Sequence, residues 1–387
     1  MPWNTTASAG AAAGSLLVAF LWNVAATWPG IRGLRRAADA HWSERARVVF
    51  PHRGTASIVA IYAPVTLGLA AHAVQAGTLA VVAVILMASA GAFLGSFPIS
   101  RAIEPTTSWS QWPVAFQFWR HPVVVLWALG MAMPGELNAV AWGMALLWLA
   151  WVAATNLAPI RLGFGRSNTL PTPPDLEVRA RRIAGEFNAP FRGIYLSRTA
   201  AHNAFAMPVS SEVVVAESLV RELDEAELDA ILRHEMDHLR EPAWMTLGRI
   251  VSANAHGVLL LAKPVMGTFG HAGMGALMLA WLLLSMGFGR LARKFEAKAD
   301  AHGADADPMA FASALLKMHR KALIPAVLER PGTHPHLYDR LIACGFTPDF
   351  PRPKPANVMS LPGALTCAAG GIMVAISLGR WFRVGGP

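Results

Sequence analysis

Residues 224–242 read Asp-Glu-Ala-Glu-Leu-Asp-Ala-Ile-Leu-Arg-His-Glu-Met-Asp-His-Leu-Arg-Glu-Pro. Asp224, with Glu227 three residues on, has the form of a capping box. Leu228, Ile231, Leu232 and Leu239 recur at helical spacing, and Pro242 ends the run. The stretch is expected to be a helix, and His234 and His238, four residues apart, then share one face. Two imidazoles on one face can grip a single Zn²⁺ from the same side. Glu235 beside them is placed to take a proton from an activated water. So short a pattern recurs by chance, and the rest of the chain must supply a third ligand and a setting.

The setting is a membrane. Of 387 residues, 54% are hydrophobic and 15% charged, against about 25% charged in an ordinary soluble protein. The mean hydropathy is positive. The net charge of +9 does not point to nucleic acid, because the basic residues cluster beside apolar runs, as membrane topology requires. Two cysteines, Cys344 and Cys367, make no disulfide framework. The first apolar run lacks a basic leader and precedes a basic loop, so it is expected to be a span and not a cleaved signal.

Runs long enough to cross a bilayer, about 20 residues, fall near 11–28, 57–74, 78–97, 137–154, 246–262, 272–288 and 359–378. The run 123–133 is short and spans only if it begins near Phe116; otherwise it forms a re-entrant hairpin with the next run. The expected fold class is mainly α: about eight membrane helices with a small α+β head. The loop 29–55 carries Arg32, Arg35, Arg36, Arg45, Arg47 and Arg53, which places it in the cytoplasm and the N-terminus outside. Arg101, Arg120, the polar segment 161–241 and the segment 290–354 then also fall inside. The links 75–77 and 134–136 fall outside and lack Lys and Arg; Arg380 and Arg383 run against this scheme.

Five regions follow: 1–160 with four to five spans, 161–245 as the first part of the head, 246–289 as a two-span hairpin, 290–357 as the second part, and 358–387 as the last span. Within the head, 174–186 reads as a helix. Segments 192–197 and 212–215, with 203–207 as a third, have the branched content of strands. The tract 351–355 is a stiff linker.

A catalytic zinc site takes three protein ligands and leaves one position open. Directly after the hairpin, Glu296-Ala-Lys-Ala-Asp300 sets two carboxylates four apart on one helical face. Glu296 is a candidate third ligand, and Asp300 a candidate acceptor for a ligand imidazole, which fixes ring orientation and raises basicity.

The pentapeptide, the Glu296–Asp300 block, Asn203-Ala-Phe-Ala206 upstream, and Thr333-His334-Pro335 with Arg340 downstream stand in an order that resembles the membrane zinc metallopeptidases of the HtpX and CAAX prenyl protease type. The resemblance covers about residues 174–343 and implies a zincin-like head. It implies one Zn²⁺ per chain on His234, His238 and Glu296, Glu235 as general base, and Asp300 behind the ligands. It makes Asn203, Ala204, Phe205 and Ala206 a strand beside the active site, whose edge an extended substrate pairs with. His334 and Arg340 match the family's late His-Pro and Arg. Either stabilises a tetrahedral oxyanion, or Arg340 pairs with a carboxylate such as Asp300. Two positions depart from the family. Pro208 stands where glycine is usual, which predicts a shorter or reshaped edge strand. Asp237 stands where small or apolar residues are commoner; it is expected to point away from the metal, with a supporting contact to a ligand as the alternative.

Other polar residues read as structural. His202 is expected on a surface or strand. His72, His256 and His271 are expected to pack or sit at the interface, and His336 on the surface. Trp22, Trp28, Trp119 and Trp142 are expected to anchor or pack spans.

The implied activity is hydrolysis of peptide bonds in membrane or membrane-associated proteins, of the HtpX quality-control kind, in a bacterial inner membrane with the site facing the cytoplasm. The partners are a protein or peptide substrate and the lipid bilayer. Cleavage of a C-terminally prenylated peptide would mark the CAAX alternative. A repressor-cutting signalling protease would need an external sensor domain. A non-catalytic scaffold would close its zinc with a fourth ligand.

Overall fold

Apolar runs in this chain can satisfy their backbone groups without water only by forming helices, and helices dominate. The computed structural model describes residues 5–74, 76–105, 109, 122–157, 169–197, 202–286, 289–330 and 332–384. The earlier start of the 123–133 run near Phe116, with Trp119, Arg120 and Arg161, falls outside them.

Helices α1 (Thr5–Arg36), α2 (Trp42–Ala73) and α3 (Thr78–Gly95) pack as a bundle, followed by the short α4 (Phe97–Ile103). Asn23 ties the three together, its side-chain amide donating to the carbonyls of Ala56 (3.1 Å) and Ala92 (2.6 Å). Outward-facing Leu17 and Leu21 stay exposed, as lipid-facing residues do. Next come α5 (Pro122–Ala132) and α6 (Ala139–Leu157). Five helical stretches are long and apolar enough to cross a membrane: Thr6–Arg36, Trp42–Ala73, Thr78–Ile103, Ala139–Asn156 and Ala255–Ala304. The last of these contains both arms of a hairpin. The short α5 and the final helix are also apolar, but they are not among these five.

Two expectations about the helices are corrected. The segment 29–55 is not a loop: α1 runs to Arg36 and α2 starts at Trp42. Its arginines misled because they line one side of amphipathic extensions. On the other side Ile31, Leu34, Trp42, Ala46 and Val49 are buried in the same core as the head. The expected span 246–262 is not one regular helix either. Helix α10 (Ala243–Ala253) stops at Asn254, whose side chain takes the Ile250 carbonyl at 2.8 Å, and a 3-10 segment (Ala255–Leu261) follows. Helix α11 (Ala262–Met286) then folds back at Gly270 (φ 60°, ψ −150°), a conformation only glycine adopts readily. The hairpin tip lies beside the 134–136 link, with the Leu137 N–H donating to Thr268 Oγ1 at 2.9 Å.

The head begins with β1 (Thr169–Leu170) and α7 (Pro174–Phe187), then β2 (Gly193–Ser197), β3 (Ala204–Met207) and β4 (Glu212–Ala216). The sheet order is β1-β2-β4-β3. Strands β2 and β4 run parallel, with Tyr195 opposite Val214; β3 pairs antiparallel with β4, with Phe205 opposite Val214. Alternation divides the side chains. Ile194, Leu196, Ala204, Val213 and Val215 enter the main core, while Tyr195, Phe205 and Met207 gather around Val214 on the other face. Pro208 follows β3 and opens the four-residue turn to Glu212, in which Ser211 has φ 57°. Helices α8 (Glu217–Glu222), α9 (Glu225–Leu239), α12 (Gly289–Ala304), α13 (Pro308–Ala322) and α14 (Leu337–Ala343) complete the head. The last helix, α15 (Leu361–Val384), packs on α2, where Ser360 meets Thr55 at 2.6 Å. The fold class is the one expected: mainly helical, with a small α+β head.

Candidate metal and peptidase site

The capping box forms as read: Asp224 accepts from the Glu227 N–H and Glu227 from the Asp224 N–H, both at 2.9 Å. It starts α9, which carries His234 and His238 into a buried position against α12. There the His234 and His238 Nε2 atoms lie 3.2 Å apart. Glu296 Oε2, from α12, lies 3.4 Å from His238 Nε2 and 3.9 Å from His234 Nε2. Donors about 2.0–2.1 Å from a tetrahedral zinc are separated by about 3.4 Å, so these three atoms are spaced as such a set requires.

Each imidazole is oriented from behind. His238 Nδ1 sits 2.6 Å from Glu241 Oε1, and His234 Nδ1 sits 3.2 Å from Asp300 Oδ1. A carboxylate at Nδ1 favours the proton there and leaves Nε2 as the lone-pair donor. Arg340, buried, grips Asp300 with Nε at 2.8 Å and a terminal nitrogen at 2.5 Å. Phe311 stacks on the His234 ring with centroids 6.0 Å apart, and the Arg340 guanidinium lies over its other neighbourhood at 5.8 Å. Gly303 leaves the room Phe311 needs, since a Cβ there would come within 2.7 Å of the ring.

The electrostatics call for a cation. Burial opposes charge on His238, yet the Glu241 and Glu296 carboxylates outweigh it and raise its pKa to about 10. Burial would raise Glu296, but His238 and His334 hold it well below the usual carboxylate range. Asp300 is likewise lowered against its burial, by His234 and Arg340. Glu296 Oε2 is buried and makes no hydrogen bond of normal geometry, although His334 Nδ1 is 3.0 Å away. His234, Glu296 and His334 also offer donor atoms that all lie within 4.8 Å of one another. Two facing imidazole nitrogens and a buried carboxylate oxygen without a normal hydrogen bond suit a divalent ion once His238 gives up its proton.

Glu235, also buried, accepts a hydrogen bond of 2.7 Å from the Ala206 N–H. This is the edge of β3 turned away from β4, so Asn203–Ala206 and the glutamate face each other. Asn203 itself is exposed, and its carbonyl accepts from the Ala216 N–H at 3.0 Å. His334 is half-exposed at the rim. Asp237 points to the opposite side of α9, with His302 Nδ1 at 2.8 Å and Lys298 at 3.3 Å. His234, Glu235, His238, Glu296, His334, Arg340 and the Asn203–Ala206 strand border one cleft of about 640 Å³.

Three participants escape the sequence reading. Glu241 is three residues beyond His238, at helical-neighbour spacing, and that spacing was the available signal. Arg249 contacts Glu241 at 2.8 Å and the second oxygen of Glu296 at 3.2 Å. It lies in the run taken as a span, where a lone arginine marks function. His202 is buried, not on the surface, with Nε2 2.5 Å from Glu104; nothing in the sequence links that pair. His336 caps α14 and accepts from the Leu328 N–H at 3.3 Å, and His256 packs edge-on against Trp148.

Residues 172–344 match Peptidase family M48. The chain is similar to a Protease HtpX homolog of Acaryochloris marina, 30% identical over 184 residues, which is 42% of this chain and 62% of that protein. It is similar to one of Burkholderia multivorans, 30% identical over 166 residues, 39% of this chain and 58% of the relative. A third, from an Arthrobacter species, is 28% identical over 221 residues, 51% and 75% of the two chains. The chain thus spans less than two thirds of the first two relatives it matches. The match covers both candidate ligand blocks and the segment between them, and apolar helices flank it on either side. The chain is an integral membrane protein whose residues 172–344 match Peptidase family M48 and are similar to Protease HtpX homologs.

Proposed function

We propose that this protein is a zinc metalloendopeptidase that cleaves membrane or membrane-associated proteins, as in HtpX-like quality control, at the cytoplasmic face of a bacterial inner membrane. The observation that carries it is the meeting of His234 Nε2, His238 Nε2 and Glu296 Oε2 with Glu235 and the β3 edge on one side. The head is assembled from 161–245 and 290–357, with 246–289 as a membrane hairpin between 1–160 and 358–387.

One Zn²⁺ per chain, held by His234, His238 and Glu296, supplies Lewis acidity that polarises a carbonyl and acidifies water. Glu235 takes the proton as water attacks and returns it to the leaving amine. An extended substrate pairs with the outer edge of Asn203–Ala206, through backbone groups that discriminate little between sequences. Pairing at the Ala206 N–H replaces the bond that Glu235 now accepts there. His334, half-exposed at the rim, donates to the developing oxyanion. Arg340 acts through Asp300 and so positions His234.

The cytoplasmic orientation is supported by the basic ends of α1 and α2, which pack into the head core. Proteolysis by the full chain in detergent, read by mass spectrometry of the products, is expected to stop with a chelator and to resume with zinc. Glu235→Gln is expected to lower the rate by roughly 10²–10⁴ while zinc stays bound. Undiminished cleavage by that variant would contradict the reading.

A further inference from the structure

The cleft that holds the candidate ligands is not made by the head alone. Arg53, about a third of the way along α2, and Thr155 and Asn156, at the end of α6, form part of its wall. Three arginines border this cleft. Arg340 is committed to Asp300, and Arg249 to Glu241 and Glu296. Arg53 is exposed and has no carboxylate within 4.0 Å among the described residues. Among the described residues its hydrogen bond runs from a terminal nitrogen to the Ala322 carbonyl at 3.2 Å. That carbonyl ends α13, where the helix leaves acceptors unpaired. Glu104 pulls on Arg53 electrostatically, but its carboxylate is already engaged by His202 at 2.5 Å. A guanidinium carries five N–H donors, so a charged fork tethered at one point stands in the wall, with donors unused among the described residues.

We propose that Arg53 is a specificity-determining residue. It binds a carboxylate side chain, Asp or Glu, on the substrate segment lying in the cleft, so that the N-terminal spans take part in choosing what is cut. This rests on the peptidase reading above. An acidic peptide side chain is favoured over a lipid phosphate because Arg53 shares its cleft with Glu235 and the β3 edge, where the peptide must lie. The spacing of a planar fork and a carboxylate supports a two-point contact.

The test compares peptides that differ only by Asp or Glu against Asn or Gln at each position in turn. They are given to the full-length zinc-loaded protein in detergent. The same peptides are titrated against the Glu235→Gln protein by fluorescence anisotropy, which needs no turnover. The ratio of acid to amide peptide within one preparation is independent of how much of it is folded. At one position the wild-type ratio is expected to favour the acid by roughly ten- to a hundredfold. Arg53→Gln is expected to bring the ratio to one, Arg53→Lys to keep part of it, and Arg53→Glu to favour lysine at that position instead. A wild-type ratio near one at every position, or one that Arg53→Gln leaves unchanged, overturns the proposal. So does a flat peptide ratio combined with an Arg53-dependent response to phosphatidylglycerol over phosphatidylcholine, which would make Arg53 a lipid ligand. Loss of the peptidase reading looks different: cleavage would be absent or insensitive to Glu235→Gln, while the binding ratio would still report on Arg53.

Discussion

The helices that carry the candidate ligands and the first three spans are held together by opposite means. Around α9 and α12, position is set by directional pairs of charged groups. Asp300 sits behind His234 and Glu241 behind His238, while Arg340 and Arg249 anchor those carboxylates. The imidazoles and Arg340 are buried, Arg249 is partly exposed, and each charged group has a partner that offsets its lost hydration. In α1–α3 no charged pairs join the helices among the described residues; apart from hydrogen bonds such as those of the Asn23 amide, close backbone approach joins them. A Cβ on Gly91 would fall 2.0 Å from the Leu16 carbonyl oxygen, and one on Gly95 2.5 Å from that of Phe20. Small residues at such crossings are how helices associate when lipid removes the hydrophobic drive. The contrast teaches where each region is fragile: the head to loss of one charge, the bundle to gain of one methyl group.

Changes made on each side can break or sharpen that contrast. The largest effect is expected from the carboxylates behind the imidazoles. Asp300→Asn and Glu241→Gln should each lower zinc affinity by about 10–100-fold, measured by competition with a chromophoric chelator. If only one does so, the two imidazoles are not held alike. Gly91→Val should cost about 1–3 kcal/mol or more of bundle stability through overpacking, seen as a lower unfolding midpoint in detergent. Zinc content per folded chain should not change. Loss of zinc in that variant would show that bundle and site are coupled more tightly than their separate packing implies. The smallest effect belongs to the start of α9: Asp224→Ala should cost about 1 kcal/mol by removing the cap seen at 2.9 Å.

The helix of residues 224–242 was fully legible because a cap, an apolar stripe and a terminating proline all agree there. The carboxylate pair at Glu296 and Asp300 was legible from spacing, and the strand pattern from branched residues. The N-terminal helical extensions were not, because six arginines among 29–55 look like a loop until the buried Ile31, Trp42 and Val49 between them are placed. Arg249 was hidden by the apolar run around it, and the His202–Glu104 contact by a separation of 98 residues. Local signals reveal local structure; pairs that close across the fold leave no trace in spacing.

The central claim is that two stretches separated by a membrane hairpin converge on one ion. Zinc-edge X-ray absorption on the purified full-length chain tests it most directly, together with metal stoichiometry, for wild type and Glu296→Ala. The expected result is one zinc per chain with two imidazoles and a carboxylate in the wild type, and loss of both stoichiometry and the oxygen ligand in the variant. Full zinc content with an unchanged ligand shell in Glu296→Ala would contradict the account.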